Sequence, residues 1–212
     1  MKLYLSSYRI PSVDALAKLV DKPLQDIHVA LLPNAKDYYA PRAKGYKIND
    51  IVQYQKAKGI GKTSVVDLLH YRDKSKLKNE LVGYDVIWAV GGNTFCLRQE
   101  MHYSGLEVIL GDLLKDGIVY GGDSAGAVVV GSSLRGIESV DIPEFTEKVI
   151  YDGLGLIDKV ILPHADNEFF AEANEATRAI HEKERIVELT DSQALIIDGQ
   201  RHYVISALES EI

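Results

Sequence analysis

The chain has little with which to make crosslinks, span a membrane or bind polyanions. Cys96 is its only cysteine, so no intrachain disulfide can form. No apolar run approaches the roughly 20 residues that a membrane-crossing helix needs. Met1–Ser7 is too short and too soon polar for a secretory signal. A cytoplasmic setting is therefore expected. Basic residues are outnumbered, 24 against 31 acidic, for a net charge of −7. That balance argues against nucleic acid or an anionic membrane as partner. Repeats and low-complexity tracts are absent. The six histidines are dispersed, with no ligand spacing beside a carboxylate, so neither a metal site nor a cofactor is expected.

What remains is ordinary globular material: 212 residues, 46% hydrophobic and 26% charged. That suits one α/β domain over residues 1–212. Short runs of Val, Ile and Leu alternate with amphipathic stretches, as in a mainly parallel sheet covered by helices on both faces. Strands are expected at Leu3–Leu5, Ile27–Leu32, Thr63–Leu68, Val86–Val90 and Ile118–Gly121. Helices are expected after Ser12, from Asn49, after Asn93-Thr94 and over Leu106–Leu114. Beyond Leu134 the expected strands are Val160–Leu162, Ile186–Leu189, Ala194–Asp198 and His202–Ser206, with a helix around Ala171–Glu184. The Asp198-Gly199-Gln200-Arg201 turn suggests a terminal hairpin, hence antiparallel additions near the C-terminal end.

Chemistry concentrates where an apolar strand runs into Gly122-Asp123-Ser124-Ala125-Gly126 and a stretch of small apolar residues follows. Gly-x-Ser-x-Gly between strand and helix is a nucleophile elbow: the serine takes a strained conformation that pushes its oxygen into the open. Glycines two positions either side remove Cβ atoms that would collide. The helix that follows aims free N–H groups at the same point, and Ala125 supplies one oxyanion donor.

A serine needs a base that titrates near neutrality, which means histidine. His28 lies inside an expected strand, and His70 and His102 stand in charged or helical surroundings. His164 ends the strand Val160–Leu162, where α/β folds place functional loops, and is the chosen base. Asp191, after the next strand, is the best-placed carboxylate to orient it. Asp141 and Asp166 are alternatives. Gly91-Gly92-Asn93-Thr94 opens a helix after a strand, and its glycines allow backbone N–H groups to approach an oxyanion or a phosphate. Cys96 is expected to pack inward.

These residues resemble the peptidase E family of aspartyl dipeptidases, with relatives that include cyanophycinase. The pieces that carry the resemblance are Val90-Gly91-Gly92-Asn93-Thr94-Phe95, Gly122-Asp123-Ser124-Ala125-Gly126, Gly153-Leu154-Gly155-Leu156, Pro163-His164 and Thr177-Arg178, in the family's order. The resemblance implies a fold like that of class I glutamine amidotransferases, with serine in place of cysteine. It implies Ser124 as nucleophile, His164 as base and Gly92 with Ala125 as the oxyanion hole. The family's carboxylate after the histidine is often glutamate; Asp191 stands at that position, with Asp141 in reserve. Arg178 matches an arginine that reads an acidic substrate side chain, although a surface helix arginine is an equal reading. Peptidase E has an aromatic residue where this chain has Asp123, and the linker Ala165–Phe170 also differs. Asp123 and Asn93 would border the substrate.

The expected activity is thus serine-type hydrolysis of short peptides by an exopeptidase or dipeptidase, with monomer and homodimer both open. Two other readings compete. One is an esterase of the α/β-hydrolase type using Ser124, Asp191 and His202. The other is a non-catalytic peptide-binding homologue.

Overall fold

A computed structural model describes residues 1–207. The first strands are β1 (Lys2–Ser6), β2 (His28–Leu32), β3 (Lys62–Val65), β4 (Val86–Ala89) and β5 (Val119–Asp123), all but β3 built on apolar runs. Later come β6 (Val160–Leu162), β7 (Ile186–Glu188), β8 (Gln193–Asp198) and β9 (Arg201–Ser206). The main sheet has the order β3-β2-β4-β5-β1-β8-β9. Its first five strands are parallel, and β8 and β9 add antiparallel at one edge. This is an α/β fold with a mainly parallel sheet.

Alternate residues of each central strand feed different cores. Leu3, Leu5, Ile87, Ala89 and Tyr120 pack into one cluster, and Tyr4, Val86, Trp88 and Val119 into the other. Both faces are therefore covered, which is why these strands read as unbroken apolar runs. Helices α1 (Val13–Val20) and α2 (Pro41–Ala57) cover the Trp88 face. Helices α3 (Lys74–Leu81), α4 (Thr94–Tyr103) and α5 (Leu106–Lys115) cover the Leu5 face. Ser12 caps α1 by accepting from the Ala15 N–H.

Two expectations are corrected. Strand β3 stops at Val65, because Asp67 accepts from the Leu69 N–H and starts a 3-10 turn over Leu68–His70. Helix α2 begins at Pro41 rather than Asn49. Strands β6 and β7 pair parallel to each other in a separate two-stranded sheet, and β8 and β9 are the antiparallel addition expected near the C-terminal end. Two further helices matter to the site: the one-turn α6 (Ala125–Val128) and α7 (Ala171–Ile180).

Candidate active site

The parallel strands β1, β4 and β5 end side by side, and the chain leaving each contributes to one crevice, the usual place for a ligand in an open α/β sheet. From β5 the chain passes through Ser124 at φ 49 and ψ −113, a conformation that few L-residues adopt. Its N–H is shared between the carbonyls of Ser6 (3.0 Å) and Ser7 (3.1 Å), which tie the elbow to the end of β1. Gly126 must be glycine, because a Cβ there would stand 2.1 Å from the Ala89 carbonyl oxygen. The helix expected after the serine is a single turn. Its contribution is accordingly the free N–H of Ala125 rather than a long dipole. That N–H and the one of Gly92 have no protein acceptor among the described residues. Gly92 adopts φ 147 against the Ala35 carbonyl, a place closed to any side chain.

His164 also has positive φ, 57. Its ring is held from three sides and its backbone from a fourth. Nε2 lies 2.9 Å from the Ser124 hydroxyl, and Nδ1 bonds to Oδ1 of Asp191. The Phe170 ring stacks on the imidazole at 4.1 Å, and the His164 N–H donates to the Ser7 hydroxyl at 2.7 Å. Ser7 in turn donates to Asp191 at 3.1 Å. Asp191 also accepts from the Asn167 amide, while Asp166 receives the Asp191 N–H. Burial opposes ionisation of Asp191, yet the hydrogen bond and charge of His164, with Asn167 and Ser7, carry its carboxyl below the usual range. The result is a hydroxyl, an imidazole and a carboxylate in series, an arrangement able to move a proton off the hydroxyl. His202 is elsewhere, exposed on edge strand β9 opposite Ile197.

The model of peptidase family S51 matches residues 7–205. The chain belongs to peptidase family S51. It is 39% identical over 84 residues to an uncharacterized peptidase of Listeria innocua, covering 39% of this chain and 40% of that one. Against peptidase E of Haemophilus influenzae it is 39% identical over 80 residues, covering 38% and 35%. An uncharacterized peptidase of Listeria monocytogenes is 32% identical over 121 residues, 55% of this chain and 58% of its own. These matches thus span roughly a third to just over half of the relatives' lengths. The fold is that of a crystal structure assigned as a peptidase E protein of Listeria monocytogenes EGD-e. It has a TM-score of 0.82 at 23% identity, over 97% of this chain and 98% of that one. A peptidase from an acI-B1 actinobacterium aligns with a TM-score of 0.73 at 16% identity, over 97% and 87%.

Within this S51 chain, the residues expected to border substrate take other positions. Asp123 turns away: Oδ1 accepts from the Trp88 indole (2.8 Å) and Oδ2 from the Gly91 N–H (3.1 Å). Burial pushes its carboxyl up. Lys36 donates to the Gly91 carbonyl at 2.8 Å. Asp123 and Lys36 therefore hold the Gly91-Gly92 turn from its two polar groups. Asn93 is buried; its carbonyl accepts from the Cys96 N–H and caps α4, and its amide donates to the Ile142 carbonyl. Arg178 lies half-exposed on α7, with both arms of its guanidinium on Glu188 at 2.8 and 2.9 Å. It does not line the cavity that contains Ser124. Asp141 does line that cavity, with Oδ2 accepting from the N–H (2.8 Å) and hydroxyl of Thr94. Cys96 packs inward as expected, and burial pushes its thiol up to about 12.

The residue that sequence reasoning missed is Ser7. It is wholly buried and touches both His164 and Asp191. The only signal was a pair of serines directly after an apolar strand.

Proposed function

We propose that this chain is a serine-type peptidase acting on short peptides, with Ser124 as nucleophile. The observation that carries this reading is the unbroken series from the Ser124 hydroxyl through His164 to Asp191. In the first half-reaction Ser124 Oγ attacks the scissile carbonyl carbon as its proton passes to His164 Nε2. The imidazolium that forms is stabilised by Asp191, which fixes the ring so that Nε2 faces the serine. Negative charge on the former carbonyl oxygen is met by the N–H groups of Ala125 and Gly92. Collapse of the tetrahedral intermediate breaks the C–N bond, and His164 returns its proton to the leaving amine. Water activated by the same His164 then cleaves the acyl-enzyme. Asp141, the reserve acid, bonds to Thr94, and no described contact joins it to the His164 ring. Support for Asp191 as the orienting acid is therefore geometric.

The setting proposed is cytoplasmic; among the described residues no helix is long and apolar enough to cross a membrane. The test is hydrolysis of a dipeptide panel with acidic, neutral and basic N-terminal residues. The wild type should cleave at least one member. Ser124→Ala should lose about 10⁴- to 10⁶-fold in kcat with its circular dichroism unchanged. Equal turnover by the variant would assign the chemistry to another group.

A further inference from the structure

Which peptide enters is written in the walls of the Ser124 cavity. The space is small, about 30 Å³, enough for one or two water molecules. Val128, Ile137, Val140 and Ala173 make its apolar wall. No lysine or arginine lines it, and its one carboxylate is Asp141. Asp141 is held by Oδ2 alone. No hydrogen bond to its Oδ1 is made by the described residues. Burial pushes the carboxyl up to about 6, against the Thr94 bonds and the charge of His164.

An acidic side chain would find no lysine or arginine here. Arg178 is engaged by Glu188. Arg9, the other arginine near the crevice, lies over the Tyr8 and Tyr54 rings and lines cavities that do not include Ser124. The ammonium of a peptide's N-terminal residue, by contrast, is separated from the scissile carbonyl carbon by a single carbon atom. A carboxylate in the same small cavity as the nucleophile is well placed to receive it.

We infer that Asp141 receives the α-ammonium of the substrate through Oδ1, and that the cavity takes a small neutral N-terminal residue rather than aspartate. This rests on the reading of Ser124 as the nucleophile, since that reading puts the scissile residue in this cavity. The reaction would then release one small amino acid at a time from an unblocked N-terminus. Thr94 fixes the Asp141 carboxylate, so ammonium recognition and the N-terminus of α4 share one anchor.

Binding separates this inference from the chemistry. Ser124→Ala protein is titrated calorimetrically with alanyl-, N-acetylalanyl- and aspartyl-p-nitroanilide. Acetylation should weaken binding by about 10- to 100-fold, the loss of one charge-assisted contact. The aspartyl compound should bind at least 10-fold more weakly than the alanyl one. Adding Asp141→Asn should bring the alanyl compound to the affinity of the acetylated one and leave the acetylated one unchanged, a pattern that general damage to the cavity would not give. If that double variant does not fold, the comparison of the three ligands on the Ser124→Ala protein decides. Equal binding of free and acetylated ligands, tighter binding of the aspartyl compound, or no binding of any of the three would overturn the inference. Turnover by the wild type with no ammonium dependence would leave the serine mechanism standing and remove Asp141 from recognition. Ammonium-dependent binding with no turnover would do the reverse.

Discussion

Ser7 has one proton to give and two neighbours that matter. It donates to Asp191 and accepts from the His164 N–H, so it clamps the histidine backbone and the Asp191 carboxylate to the end of β1. Ser7→Ala leaves the His164 N–H without an acceptor and Asp191 with one donor fewer. A buried donor left unpaired costs about 1–3 kcal/mol. We expect kcat to fall roughly 10-fold with KM nearly unchanged, because nothing that touches substrate is removed. Because Ser7 also helps to hold the Asp191 carboxyl down, the acid limb of the pH–rate profile should move to higher pH in the variant. A change confined to KM would show that Ser7 acts on substrate instead. Asp123 and Asn93 make the same general point. Polar residues beside Ser124 look like substrate ligands in sequence, yet Asp123 is spent on the Trp88 indole and the Gly91 N–H, and Asn93 on the Cys96 N–H and the Ile142 carbonyl. Sequence shows that a residue is polar and near a motif, but not which of its neighbours claims its hydrogen bonds.

At the scale of elements, the crevice depends on how closely the one-turn helix α6 approaches β4. Gly126 meets the Ala89 carbonyl, and a Cβ at that position would lie 2.1 Å from it. Both partners are backbone, so Gly126→Ala must move a strand or the elbow. We expect a loss of roughly 3 kcal/mol or more, and a melting temperature lower by about 10 °C for a chain of this size. Trp88, the only tryptophan, is buried beneath the site, and its fluorescence would follow the transition. A melting temperature within 2 °C of wild type, roughly the shift for 1 kcal/mol, would show that the approach is looser than described. Strands β1, β2, β4 and β5 were legible because burial writes them as apolar runs; β3, a partly exposed edge strand, was read three residues too long. Helices were legible where a cap or an apolar stripe marked them, as at Ser12 and Asn93. The first half of α2 was not. Arg42, Lys44 and Lys47 give it no apolar face, and Pro41 at its first turn was the only cue. Helix α3, Lys-rich with only Leu77 and Leu81 buried, went unread for the same reason.

Across the whole molecule, the strand order brings distant stretches of sequence together. Ser7, Gly92, Ser124, His164 and Asp191 come from five segments. Three of these leave neighbouring parallel strands, and the other two follow the small β6–β7 sheet. The order of motifs pointed to Ser124, His164 and Asp191, and the fold brings these three into hydrogen-bond contact. Pairings made by remote loops were not readable, and these include Arg178 with Glu188 and Asp141 with Thr94. The site is therefore a property of the assembled sheet, and its reactivity should be lost in the same transition that unfolds the chain. The most direct measurement is the reaction of the folded wild type with a fluorophosphonate, with the modified residue located by peptide mass spectrometry. The account predicts stoichiometric modification at Ser124, slowed at least 10²-fold in His164→Ala. Modification at any other residue, or none in folded protein, would contradict it.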